Sequence, residues 1–154
     1  MADDACRANQ EIQSEDPVVM PPAISRVIRA VPVVFVASVE ASAVFFRDRL
    51  GFSIDFLHGE PPFYGSVSRE GACVHLKFVH EPVLTAGTHD REGLIMAFVE
   101  VEDVKTLYAE YTAAGVAFQQ SLETQAWGGR DFIVRDLDGN GICFAELTAA
   151  PQTG

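Results

Sequence analysis

The densest group of chemically capable side chains lies in WGGRDFIVRDLDGNGICFAEL, residues 127–147 of a 154-residue chain. Three carboxylates, Asp131, Asp136 and Asp138, crowd a Gly-Asn-Gly turn, with Arg130 before it and Cys143 after it. Such a set could hold a cation, supply a general acid, or simply form the wall of a pocket. Asp136 and Asp138 surround Gly139 and Asn140, which tolerate the left-handed conformations of a tight hairpin, so both acids read as turn residues. Arg130 and Asp131 would orient a polar ligand or pair with each other at the surface, where a pair contributes little. Trp127, the sole tryptophan, precedes Gly128 and Gly129. Those glycines leave it free to lie over a ligand; the alternative is a core or lid residue.

Other chemistries lack their parts. His58, His80 and His89 fall in or near expected loops, and no spacing pairs them with a nucleophile. There is no Walker A motif and no GxGxxG. Cys6, Cys73 and Cys143 are odd in number and form no CxxC pair, which argues against a disulfide framework and a structural zinc site. A formal charge of −11, from 22 acidic and 11 basic side chains, repels phosphate backbones and anionic membranes and attracts cations. Nucleic acid and membranes are therefore poor partners. No apolar run is long enough to span a bilayer, and MADDACRANQEIQSEDP has no signal-type apolar region, so a cytoplasmic protein is expected.

The elements that must position these residues follow from the hydrophobic pattern. Residues 1–24 are polar and then proline-punctuated, a disordered tail or docking arm. RVIRAVPVVFVAS predicts a strand with an edge or bulge at Pro32. Ser38 then caps a helix in which Val39, Ala43, Phe46 and Leu50 share a face, and Gly51 ends it. FSIDFLHGE predicts a strand, PPFYG a turn, and SVSREGACVHLKFV a hairpin turning at Arg69–Gly71. GLIMAFVEV starts the plan again. Asp103 caps a helix with Val104, Leu107, Tyr108 and Tyr111 on its apolar face, Gly115 closes it, and VAFQQS leads to the final hairpin.

Val36 matches Val101, Gly51 matches Gly115, and Gly71 matches Gly139, so the order strand, helix, three strands occurs twice. That is an internal duplication of about 65 residues. The expected fold is α+β: two βαβββ modules forming a strongly curved eight-stranded mixed sheet around a cavity. The domain spans 25–148, with module one at about 25–81, module two at about 92–148, and a tail at 149–154.

FFRDRLGF at the end of the first helix and RDLDGNGICF in the last hairpin resemble motifs of the vicinal-oxygen-chelate superfamily. That superfamily includes glyoxalase I, extradiol dioxygenases, and fosfomycin- and bleomycin-resistance proteins; the resemblance runs from about Ser25 to Leu147. AVPVVF, RDRLGFSIDF, LYAEY and AWGGRDFIVRD are most similar to the bleomycin-resistance proteins. The resemblance implies a cytoplasmic homodimer that sequesters a bleomycin-like small molecule in interface clefts, with no catalytic residue and no cofactor. It places Trp127, Phe56, Phe63 and Phe98 against the ligand. Tyr64 joins them as the neighbour of Phe63, His75 as a hydrogen-bonding residue in the cavity, and Arg130 as a polar contact. For Phe56 and Phe98 core packing is the competing reading.

In the metal-dependent members, ligands come from positions matching Val31, His75, Met96 and Cys143. Val31 offers no donor and none of the four is a carboxylate, so a catalytic divalent metal is not expected. His75, Met96 and Cys143 would suit only a soft ion such as copper(I). Two alternatives accompany the binding reading: a glyoxalase-type lyase, isomerase or dioxygenase, and a binder of some other metabolite or drug. The long acidic N-terminus, the Pro61–Pro62 insertion and Phe98 at a position where tryptophan is common all depart from the resistance-protein pattern.

Overall fold

Ser38 and Asp103 stand at corresponding places in the two halves of the chain, and each caps a helix. The Ser38 hydroxyl accepts from the Ala41 amide at 3.2 Å, and an Asp103 carboxylate oxygen accepts from the Thr106 amide at 3.0 Å. Both bonds satisfy an amide that the first helical turn leaves without a partner. Past the ends of these helices, Gly51 and Gly115 adopt nearly the same left-handed backbone, φ 75° and 71°. A side chain at either position would be strained, which explains why the duplicated glycines align.

The computed structural model describes residues 19–148. Strand β1 (Val33–Val36), helix α1 (Val39–Asp48) and strands β2 (Ser53–His58), β3 (Tyr64–Arg69) and β4 (Ala72–Phe78) form the first unit. A short helix α2 (Ala86–Glu92) links it to β5 (Ala97–Glu100), α3 (Val104–Ala113), β6 (Phe118–Thr124), β7 (Arg130–Arg135) and β8 (Gly141–Glu146). Strand order is β1-β4-β3-β2 in one sheet and β5-β8-β7-β6 in the other. In each sheet the first strand runs parallel to the last and the other pairs are antiparallel. The α+β class and the doubled βαβββ order are those expected. The ladder differs: the strands hydrogen-bond as two four-stranded sheets rather than as one sheet of eight.

The helices cover one face of each sheet. Val39, Ala43 and Phe46 of α1, with Leu50 just beyond it, and Val104, Leu107 and Tyr111 of α3 are buried in one core with Phe132 and Phe144. Tyr108 is partly buried against the same cluster. Two polar joints tie the units together. At the first, Tyr111 Oη and Arg69 Nη1 both donate to the Leu50 carbonyl at 2.9 Å, while Arg69 Nη2 reaches Glu110 at 3.2 Å. Burial pushes the Tyr111 phenol well above its ordinary pKa, keeping it a donor.

The β7–β8 turn makes the second joint. Asp138 Oδ1 accepts from the Ala37 amide at 2.9 Å, and Asn140 Nδ2 donates to the Phe35 carbonyl at 3.0 Å. Asp136 holds the turn itself, accepting from the Asp138 and Asn140 amides at 2.9 and 2.7 Å. The turn role of Asp136 and Asp138 is therefore present, and Asp138 adds a bond across 101 residues of sequence.

Several local expectations need correction. The strand expected from RVIRAVPVVFVAS is ordered as strand only at Val33–Val36. Val27 and Ile28 before it are each 92% exposed, and Pro32 has no amide to continue a ladder. The strand in GLIMAFVEV shortens likewise to Ala97–Glu100. Helix α2 has no counterpart in the pattern reading. Of the turn residues, only Gly139 (φ 84°) is left-handed, because Asn140 serves through its side chain. In the β3–β4 hairpin the left-handed residue is Glu70 (φ 46°), not the aligned Gly71. The expected arm lies outside the described residues up to position 18, as does the tail at 149–154; residues 19–24 carry no regular secondary structure.

Candidate ligand-binding site

Strand alternation sends every second side chain away from the helices, and these open faces carry most of the sequence-selected residues. In the first sheet Val34, Val36, Val74 and Leu76 are buried, while Val33, Phe35 and His75 lie on the other face. His75 pairs in register with Val33 on one side and Ser66 on the other. Its Nδ1 lies 2.9 Å from Tyr64 Oη, with the two rings 5.4 Å apart. Phe56 meets the His75 ring edge-on at 6.1 Å, and Phe63 packs against His58 at 5.2 Å. The structure thus brings Phe56, Tyr64 and His75 together, with Phe63 on the neighbouring β2–β3 loop. Phe56 is 46% exposed and Phe98 54% exposed, so core packing within one subunit does not account for either.

Next to Phe56 on β2 stands an acid that no sequence pattern singles out. Asp55 accepts from Ser66 Oγ at 2.8 Å and from Ser68 Oγ at 2.6 Å, and Ser66 Oγ also contacts Cys73 Sγ at 3.5 Å. The β-bulge between Ile54 and Phe56 is what aims Asp55 at them. No spacing rule foretells a bulge, so nothing in the sequence singled out this acid.

The second sheet presents Phe98 opposite Cys143 on β5–β8, and Ile133 opposite Cys143 on β7–β8. Trp127 stands at the tip of the loop before β7 and is 55% exposed. Arg130 and Asp131 do not pair. Arg130 binds Glu146 at 3.3 Å across the ladder, while Asp131 is buried and accepts from the Gln120 and Gln125 amides, each at 2.7 Å. Alternation explains the split, since adjacent residues on a strand face opposite sides. Sequence spacing does not single out Gln120 or Gln125; the one signal is that Asp131 shares a face with apolar Ile133. Among the described residues, no ring contact or hydrogen bond joins Trp127 to Phe56, Phe63, Tyr64 or His75.

Cys143 is buried, and desolvation together with the nearby Asp131 charge pushes its thiol up to about 12. The thiolate is the reactive form, so Cys143 is expected to resist alkylation at pH 8. In a Cys6→Ser/Cys73→Ser variant, iodoacetamide should label Cys143 only after denaturation; rapid labelling of the native variant would contradict this environment. The same shift has a stability consequence. Between the ordinary thiol value of 9.0 and about 12, the unfolded chain releases a proton that the folded chain keeps. Stability should therefore fall as pH rises through that window.

Two cavities adjoin these faces. The larger, about 750 Å³, runs between the units past Ala97–Asp103 and the β3–β4 turn. Phe98 is the only selected aromatic in its wall, which also carries the carboxylates of Glu70, Glu100, Glu102, Asp103 and Glu110. A smaller one, about 120 Å³, lies under the inter-unit linker between Phe35, His80, His89 and Met96.

The metal-ligand positions do not fit a catalytic divalent ion. Val31 has no donor atom, none of the four positions carries a carboxylate, and Met96 packs against the core. Among the described residues, no group of three or more His, Cys, Asp or Glu is placed to hold a metal. No described helix is long and apolar enough to cross a membrane.

Comparison with known proteins agrees with this architecture. Bleomycin resistance proteins of Geobacillus stearothermophilus and Staphylococcus aureus are 29% identical over 128 residues, covering 76% of this chain and 95% of theirs. The crystal structure of the bleomycin-binding protein from bleomycin-producing Streptomyces verticillus, complexed with copper(II)-bleomycin, superposes with a TM-score of 0.64 at 27% identity. That match covers 81% of this chain and all of the other. TioX from Micromonospora sp. ML1, at 24% identity and a TM-score of 0.59 over 77% of this chain and 98% of its own, shares the fold. The family model for the glyoxalase/bleomycin resistance protein/dioxygenase superfamily matches residues 27–144, and with the doubled βαβββ fold it places this chain in that superfamily.

Proposed function

We propose that the chain binds a planar, cationic small molecule of the bleomycin type and protects by stoichiometric sequestration, without a metal and without catalysis. The observation that carries this reading is the set of large aromatic side chains left in solvent on faces where a soluble subunit would ordinarily be polar. Phe56, Phe63, Phe98 and Trp127 are all exposed. Rings so placed suit flat heteroaromatic groups, each stacked pair contributing about 0.5–1.5 kcal/mol beyond area burial. Cationic ends of such a ligand gain from the −11 charge. The 29% identity to bleomycin resistance proteins supports the drug class.

The acting unit in this proposal is a cytoplasmic homodimer. Val33, Phe35, Phe56, Phe98 and Trp127 are apolar and exposed, and a twofold partner would cover them while setting one open face against another. The ring groups of the two sheets, which do not touch within a subunit, would then line one cleft from both sides.

Isothermal titration of chelator-treated protein with metal-free bleomycin tests the reading. Saturable binding near one drug per chain is expected, with an association rate that falls as salt is added. No heat at several temperatures would remove the drug assignment and leave the family intact.

A further inference from the structure

We propose that Asp131 is a positioning residue for Trp127, acting through Gln125 to hold the tryptophan loop in one shape before any ligand arrives. The inference rests on the reading of Trp127 as a ligand contact, and it adds a part that neither the sequence nor the family assignment supplies.

The loop from 125 to 129 is closed by its own backbone. The Gln125 amide donates to the Gly129 carbonyl at 2.8 Å, and the Gly128 amide donates back to the Gln125 carbonyl at 2.9 Å. Trp127 lies between these bonds, at the apex. Thr148 fastens the outer side, its hydroxyl donating to the Gly128 carbonyl at 2.8 Å. The indole folds back over Gly129, where an added Cβ would sit 1.7 Å from a ring carbon. Gly129 therefore provides the bare backbone surface on which the ring rests.

The β6–β7 ladder, which closes at Thr124↔Arg130, fixes the two ends of this turn on the sheet. A side-chain bond adds a second tie inside the turn: Gln125 Nε2 donates to Asp131 Oδ1 at 2.7 Å. Asp131 is only 8% exposed, on a strand paired to both neighbours, so its carboxylate is a fixed point. Gln120 Nε2 donates to the same oxygen at 2.7 Å from β6, outside the turn. Hydrogen bonds to an ionised acceptor are among the stronger ones, and this acceptor lies where water competes poorly. A loop so anchored enters binding with its tryptophan already placed, which lowers the ordering cost that a free loop would charge against affinity.

The chain has one tryptophan, so intrinsic fluorescence of the full-length protein reports on this loop alone. In the ligand-free state, Gln125→Ala and Asp131→Asn are expected to raise acrylamide quenching of Trp127 and lower its anisotropy. Gln120→Ala shares the acceptor oxygen but not the turn, and should leave both close to wild type. Melting temperatures check that each variant folds; Gln125 is half-buried at the edge of the sheet, so its variant keeps the test available if Asp131→Asn does not fold. Bleomycin affinity of Gln125→Ala should fall by about five- to tenfold. Unchanged quenching and anisotropy in Gln125→Ala, or an equal change in Gln120→Ala, would overturn the proposal. If wild-type protein does not bind bleomycin yet the fluorescence responds as stated, the positioning role stands and only the drug assignment falls.

Discussion

Trp127→Ala is expected to weaken bleomycin binding by about 2 kcal/mol or more, roughly thirtyfold, with little effect on folding. The magnitude follows from losing both the stacking and the apolar area of the largest aromatic side chain, at a position well suited to an interface anchor. The small stability effect follows from its surroundings. Trp127 is 55% exposed and rests on a glycine rather than in the core, so its removal opens no cavity among packed side chains. Titration calorimetry paired with thermal melts separates the two effects. Trp127→Phe should retain part of the affinity, because a smaller ring still stacks. Unchanged affinity in Trp127→Ala would move the ligand site away from this loop.

Phe132→Ala has the opposite profile: a large loss of stability that originates behind the site. Phe132 is fully buried and stacks on Phe144 at 5.4 Å with 20° between their planes. Tyr108, Tyr111 and Phe118 contact the same ring at 5.3, 5.9 and 5.6 Å. Truncating such a residue removes its transfer free energy and leaves a cavity its rigid neighbours cannot fill, at a cost of about 3–5 kcal/mol. Against a total of about 5–15 kcal/mol, that should lower Tm by roughly 10 °C and shift the denaturation midpoint with little change in slope. A loss below about 1 kcal/mol would show that the aromatic cluster does not carry the second unit. The adjacent residue, Asp131, faces the other way, so one strand holds a core determinant and a loop anchor side by side.

These two residues differ in how legible they are in the sequence. Trp127 stands out because a lone tryptophan followed by two glycines has no core pattern to join. Phe132 is visible only as one of several apolar residues in a buried hairpin; that it is the centre of an aromatic cluster depends on α3 crossing β7 and β8. The helix caps at Ser38 and Asp103 and the closing glycines at 51 and 115 are readable because each is set within a few residues by backbone geometry. The strand limits are not. Val27 and Ile28 have strong β-forming character, yet each is 92% exposed and lies outside the β1–β4 ladder, which begins at Val33.

The sequence by itself determined the repeated βαβββ order, the caps and ends of α1 and α3, the superfamily and the aromatic residues available for a ligand. All of these follow from local periodicity, capping and motif, which act over short stretches of chain. The tertiary structure alone decided which residues meet. It divided the expected single sheet in two, separated Arg130 from Asp131 by strand alternation, and aimed Asp55 through a bulge. It also turned Asp138 and Asn140 from turn formers into a joint with β1 and its flank, and gave Asp131 its two glutamine partners. Contacts of this kind join residues that the pattern cannot rank as neighbours, because their pairing depends on register, twist and the packing of the two units.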